Sequence, residues 1–294
     1  MHCLIYILDN NVGIFMDMIY MFVEAMKQYD KQHTYEIKNC PRGCTLESNC
    51  SSHLPANFND DKQRLVIFGT DLGRHNIPNN SIICTFDCWA VMKTRLDPLL
   101  ANNVVMTYSD KDIQDVKQAH SNARIYKFGF GYSSHHDMYQ PMNKQFDACL
   151  LGCWSQRRQN VCQEIGKQNV RIVFPHNQSF YNEARAQLYN SCKIVLAIYN
   201  SDMLMEQTSA SRIIPAVCNG AFVIAEKSTD PSVNDFLQPF CVLCTKEEMP
   251  NIVKYFTTQD AEREQLRAQF YQQMKQCFPK IDFAAIKTSH LNST

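Results

Sequence analysis

The sequence predicts an α/β protein made of two doubly wound, Rossmann-like halves. Three observations carry that expectation. Short apolar runs alternate with helix-length amphipathic stretches along most of the 294 residues, the pattern of parallel sheets with crossover helices. The length suits two domains rather than one. A polar break at 131–145, marked by Gly131, Ser133, Ser134 and Pro141, separates two series of similar alternation. Dividing there gives an N-terminal domain of residues 1–140 and a C-terminal domain of residues 141–294.

In order, residues 3–8 form an apolar run of strand type, and 13–29 read as a helix with Met16, Ile19, Tyr20, Val23 and Met26 on one face. Residues 34–38 suit a second strand. Residues 40–63, rich in Asn, Asp, Pro and Ser, read as a long loop. Strands are expected at 65–68, 81–86, 104–108 and 124–130, with helices at 89–100, interrupted near Pro98, and at 110–119. The second series places strands at 146–151, 170–174, 193–199 and 221–225 and helices at 155–167, 181–190 and 211–219, before a polar helical tail from 247 to 277.

Composition removes several classes. Lys plus Arg and Asp plus Glu each total 29, a balance that argues against a non-specific nucleic-acid binder. No apolar run is long enough to span a bilayer, and the N-terminus carries no basic leader, so a cytoplasmic protein without a transmembrane segment is expected. There are 14 cysteines. Cys3, Cys84, Cys149, Cys192 and Cys218 sit in apolar runs and read as small buried hydrophobes in a reducing compartment. Cys40, Cys44, Cys50 and His53 are chemically fit to hold zinc, but their spacing matches no common zinc module, and free thiols or a disulfide are the preferred reading. Cys241 and Cys244 read as core packing. The sequons beginning at Asn49, Asn79, Asn177 and Asn292 are treated as chance.

Two constellations carry chemistry. In Leu150-Leu151-Gly152-Cys153-Trp154-Ser155-Gln156-Arg157-Arg158 a strand runs into a glycine and a helix starts near Ser155. Backbone N–H groups at such a start attract anions, and guanidinium groups add bidentate donors. In residues 205–226 a polar loop, Met205-Glu206-Gln207-Thr208, leads into a helix that Ser209 and Ser211 can cap. Arg212 falls in the first turn, where the helix dipole disfavours a cation unless an anion is present. Asn219-Gly220 is an ordinary helix stop.

Together these segments resemble the C-terminal domain of GT-B glycosyltransferases, in the broad group related to glycosyltransferase family four. The nearest kind is the short spore-maturation type found in bacteria and large DNA viruses. The resemblance covers about a third of the chain, in 146–245, and rests on the order and spacing of its motifs. It implies two domains facing across a cleft, with a nucleotide-diphosphate-sugar donor in the C-terminal domain and a glycan, glycoprotein or other hydroxyl acceptor on the N-terminal one. By position it implies that Gly152, Arg157 and Arg158 face the donor phosphates, that Pro175, His176 and Asn177 border the base, and that Glu206, Ser209, Ser211 and Arg212 meet sugar, ribose and phosphates. Pro215 departs from the pattern, for it stands where many members carry a second glutamate that binds the ribose.

No Asp-x-Asp metal motif is present, and the Asp60-Asp61 pair lies in the long loop. Transfer without a metal or other cofactor is therefore expected, with arginines and helix N-termini stabilising the leaving phosphate. An inverting enzyme needs a base on the acceptor hydroxyl, and Asp9, Asp71, His75 and Asp87 follow N-terminal strands. Asp9, His75 and Glu206 are the catalytic candidates. His135-His136 is expected in an exposed linker. The alternatives are another GT-B activity such as nucleotide-sugar epimerisation, and a non-catalytic nucleotide-sugar-binding protein. A zinc-dependent nucleic-acid binder is a third, which zero net charge opposes.

Overall fold

The computed structural model describes residues 2–7, 12–29, 34–39, 63–68, 77, 79–85, 89–175, 182–202 and 210–281. It divides into two compact units, Met1–Gly129 with Pro279–Thr294, and Phe130–Phe278.

The first unit is built on six parallel strands: β1 (His2–Ile7), β2 (Thr34–Asn39), β3 (Gln63–Phe68), β4 (Ile82–Cys84), β5 (Val104–Thr107) and β6 (Arg124–Gly129). Their spatial order is β6-β5-β4-β3-β1-β2, so the winding reverses at β1. The strands read as unbroken apolar runs because both faces are covered. On one face Leu65, Ile67, Ile83, Val105 and Ile125 pack with Met92, Leu96 and Leu100 of α2 (Trp89–Leu100) and Val116 of α3 (Asp110–Ala119). The alternate residue Phe68 meets Phe22 of α1 (Val12–Tyr29) edge to face, with ring centroids 5.7 Å apart. Helix α2 runs through Pro98. A proline near the end of a helix removes a single ladder bond, which the packed face of α2 outweighs.

The second unit has five parallel strands: β7 (Phe146–Leu150), β8 (Ile172–Val173), β9 (Cys192–Ala197), β10 (Val223–Glu226) and β11 (Val242–Cys244). They lie in the order β11-β10-β9-β7-β8. Between them run α4 (Gln156–Gly166), α5 (Asn182–Ser191), α6 (Ala210–Cys218) and α7 (Pro231–Leu237), followed by α8 (Met249–Thr258) and α9 (Asp260–Gln276). Here the winding reverses at β7, whose neighbours are β8 and β9. Helix α6 is nearly all core, with Ile213, Ile214, Ala216, Val217 and Cys218 fully buried. Its end is a Schellman turn: Gly220 has φ +69°, the N–H of Gly220 bonds the Val217 carbonyl and that of Ala221 bonds the Ala216 carbonyl. After α9 the chain adds β12 (Lys280–Ile281), antiparallel to β6 in the first sheet.

Several expectations are corrected. The segment 131–145 is part of the second unit. Asp137 accepts from the hydroxyls of Tyr132 and Tyr271, each at 2.5 Å, and pairs with Lys275 at 3.3 Å. The polar composition that suggested a linker is thus satisfied internally, mainly by α9. His136 is buried at the end of a short 3₁₀ turn, Ser134–His136, while His135 is exposed as expected. Helix α6 begins at Ala210, so Ser211 lies inside the first turn rather than before it. Elements α7 and β12 follow no pattern that the sequence made plain.

The five cysteines expected in the core are buried, and no disulfide joins the cysteines described. Among the described residues no cluster of three metal-donor side chains occurs, and no helix is long and apolar enough to cross a membrane. Cys40, Cys44, Cys50 and His53, the Asp60-Asp61 pair and most of the 40–63 loop lie outside the described residues.

Candidate functional site

In a doubly wound sheet, ligands bind beyond the carboxyl ends of the strands where the winding reverses. In the second unit that point lies between β7 and β9, whose ends are register neighbours at Leu150 and Leu196. The two constellations converge there.

Ser155 caps α4, its backbone extended (φ −147°, ψ 157°) and its hydroxyl accepting from the Arg158 N–H. The cap fixes where the next residues point. Consecutive helical residues project about 100° apart, so Arg157 and Arg158 cannot face the same way. This separates a pair that the sequence suggested would act together.

Arg158 turns inward and is only 2% exposed. Its Nε donates to the Ile198 carbonyl at 2.9 Å and its Nη1 to the Cys153 carbonyl at 2.5 Å. Arg212, from α6, reaches the same Ile198 carbonyl with Nη1 at 3.2 Å. Both guanidinium groups press on Gly152, whose φ is +126°. A methyl group built there would lie 2.9 Å from Nη1 of Arg158 and 3.6 Å from Nη1 of Arg212. Burial and the neighbouring Arg212 charge push the Arg158 guanidinium down to about 9.

Arg157 turns toward carboxylates. It forms a bidentate pair with Glu226, its Nη1 2.7 Å from Oε2 and its Nη2 on Oε1. Its Nε donates to Asp202 at 2.6 Å and its Nη1 to the Tyr199 carbonyl at 3.2 Å. Those pairs, the Glu226 hydrogen bond foremost, raise Arg157 above its ordinary value. Arg157 in turn holds Asp202 below the usual carboxylate range. Glu226 ends β10, is 1% exposed, and also accepts from the Tyr199 N–H at 3.1 Å.

Trp154 stands beside this cluster, 41% exposed, and meets Phe174 edge-on with ring centroids 4.4 Å apart. Pro215 is buried inside α6 and lines a small cavity with His135, His136, Arg185, Tyr189 and Asn219. Of the sequence-predicted residues, Gly152, Arg157, Arg158 and Arg212 are brought together, and Ser211 lies on α6 one residue before Arg212. Asp9, Asp71, His75, Asp87, His176, Asn177, Glu206 and Ser209 lie outside the described residues. Glu226, Asp202 and the carbonyls of Ile198 and Tyr199 were not singled out from sequence. Glu226 stands 69 residues from Arg157, and only the acidic end of an apolar strand hints at it.

Residues 135–278 match the family model for glycosyl transferase-like proteins, a stretch that spans nearly all of the second unit and just under half of the chain. No curated protein matches the chain. Several solved structures match it over nearly their whole length. WaaG, a glycosyltransferase involved in lipopolysaccharide biosynthesis, aligns with TM-score 0.57 and 12% identity over 98% of each chain. Sucrose-phosphate synthase from Thermosynechococcus elongatus gives TM-score 0.62 and 10% identity over 99% of this chain and 98% of its own. Anabaena HepE, in complex with UDP and glucose, gives TM-score 0.60 and 12% identity over 99% and 98%. The fold is GT-B. At these identities the likeness to the three structures is one of architecture, and chemistry has to be argued from the side chains. The arginine cluster lies within the stretch of this GT-B chain that matches the glycosyl transferase-like model.

Proposed function

We propose that this protein is a glycosyltransferase, related to family four and of the spore-maturation kind, that moves a sugar from a nucleoside diphosphate to a hydroxyl acceptor on a glycan or glycoprotein. The carrying observation is the convergence of Arg158 and Arg212 on Gly152, both donating to one carbonyl. Two guanidinium groups held close together with one of them buried repel each other and lose hydration. A dianionic ligand relieves both penalties, and Gly152, lacking a side chain, lets the Arg158 guanidinium sit against the backbone. The adjoining helix start at Ser155 adds polarised N–H groups.

Transfer on this reading breaks the bond between the anomeric carbon and the diphosphate oxygen. The electron pair leaves with the nucleoside diphosphate, where Arg158 and Arg212 balance the growing charge. The acceptor oxygen forms the new bond to the anomeric carbon and its proton passes to a base. Asp9, His75 and Glu206 are the proposed catalytic groups, and no metal is needed. The cytoplasmic location and the viral type belong to the same reading and rest on sequence alone. Pro215, in place of a ribose-binding glutamate, favours one rival, a protein that binds nucleotide sugars without transferring them.

The test is calorimetric titration with UDP, GDP and inorganic pyrophosphate, with and without EDTA, followed by product analysis with the matching nucleotide sugars. Binding that survives EDTA and disappears in Arg212→Ala supports the donor site. Turnover lost in Asp9→Asn or His75→Asn, with UDP binding intact, supports a transferase. Binding without turnover on any acceptor supports the rival, and no binding at all overturns the reading.

A further inference from the structure

We propose that Glu226 is a positioning residue for the anion site, acting through a single peptide group; this rests on the donor-site reading above. The carbonyl of Ile198 and the N–H of Tyr199 belong to the same planar unit. Glu226 accepts from that N–H at 3.1 Å. The carbonyl at the other end accepts from Nε of Arg158 at 2.9 Å and Nη1 of Arg212 at 3.2 Å. Because the unit is rigid, the carboxylate that grips one end sets the direction of the oxygen at the other, and that oxygen aims both guanidinium groups at Gly152.

Arg157 completes the grip. It holds Glu226 in a bidentate pair and also donates to the Tyr199 carbonyl at 3.2 Å. Tyr199 is thereby fixed at both its N–H and its C=O. A carboxylate 1% exposed at a strand end is costly unless paired. Arg157 supplies the pair, with Asp202 on its outer side at 2.6 Å. Arg157 is therefore spent on the frame of the site, and Arg158 and Arg212 are left to meet the ligand.

The sign of one substitution separates this role from a simple charge effect. Glu226→Gln removes a negative charge close to a cationic site. If Glu226 acted only as a charge, anions would bind more tightly in the variant. If it positions the peptide, the Gln amide nitrogen cannot accept from Arg157, the two-oxygen grip is lost, the Ile198 oxygen is held less firmly and anions bind more weakly. UDP and inorganic pyrophosphate are titrated calorimetrically into the full-length protein, wild type and variant, with circular dichroism confirming the fold. The expected result is a loss of affinity of about tenfold or more for both, the size of one charge-assisted hydrogen bond. Unchanged or tighter binding in folded Glu226→Gln overturns the proposal. If that variant does not fold, Glu226→Asp keeps the charge but is too short to hold both Arg157 and the Tyr199 N–H; it is expected to lose affinity to a similar degree, and wild-type affinity in it overturns the proposal. Absence of UDP and pyrophosphate binding in the wild type removes the donor-site reading itself, an outcome distinct from either of these.

Discussion

The two units of this chain share one winding, and the polar groups described near their strand ends are used differently. In each, the first strand lies between the second and the third, so each has a reversal where a ligand can sit. In the first unit the polar groups described near the strand ends satisfy one another. The Thr107 hydroxyl donates to Asp112 at 3.0 Å, and Ser109 caps α3 by accepting from the Asp112 N–H. In the second unit the reversal gathers three arginines, one buried glutamate and a glycine against which the Arg158 guanidinium packs. Topology supplies the place, and only side chains that are costly to bury reveal where the place is used.

Arg158→Ala should break the comparison most severely. It deletes a buried side chain, strips the Cys153 carbonyl of that donor and leaves the Ile198 carbonyl to Arg212. A loss of ~3 kcal/mol in stability is expected, read by denaturant unfolding, and UDP binding should fall below detection. The lowered value of Arg158 adds a pH test. Its charge fades as pH rises through about 9, so pyrophosphate affinity should be steady near pH 7 and decline toward pH 9 and above. The sign for stability is opposite. A base with a depressed value carries its full folding penalty below that value, and the penalty is relieved as pH rises above it. An affinity that stays level across pH 9 would show that Arg158 does not carry the site's charge.

Gly152→Ala comes next. It forces an L-residue into φ +126° and puts a methyl group 2.9 Å from Arg158. A cost of ~1–3 kcal/mol is expected, with at least a tenfold loss of UDP affinity, because the methyl pushes the Arg158 guanidinium out of place. Normal UDP affinity in a folded variant would move the anion away from Gly152.

These two residues were legible in the sequence, and the reasons are local. A strand running into Gly152, a Ser155 cap and two arginines sit within ten residues and follow rules of short range. The alternation of strands and helices was legible for the same cause. The partners of those arginines were not. Glu226 and Ile198 come to Arg157 and Arg158 only through the pairing of β9 with β10 and β7, and Ile198 acts through its backbone, which its side chain does not advertise. The 131–145 segment misled because polar residues suggest solvent, whereas Asp137 spends its charge on Tyr132, Tyr271 and Lys275.

Gly220→Ala sharpens the comparison by perturbing the second unit away from the arginines. At φ +69° the new methyl would lie 2.8 Å from the Tyr139 ring, which also stacks under Arg267 at 4.6 Å. The left-handed turn and the crowding together should cost ~1–2 kcal/mol. UDP affinity measured well below the melting temperature should stay within twofold of wild type. A larger change would show that the helix stop and the anion site are coupled through α6.

Ser109→Ala is the mildest and tests the first unit alone. The Ser109 backbone is extended (φ −98°, ψ 122°) and its hydroxyl accepts from the Asp112 N–H, the geometry of an N-cap. Removing it should cost ~1 kcal/mol. Asp110 and Asp112 in the first turn still complement the helix dipole, so α3 should persist. If the polar groups near this sheet end serve only the fold, pyrophosphate and UDP titrations will match wild type while the melting temperature drops by a few degrees. A weakened donor affinity instead would mean that the first unit shares in holding the donor, and the contrast between the two sheets would have to be redrawn.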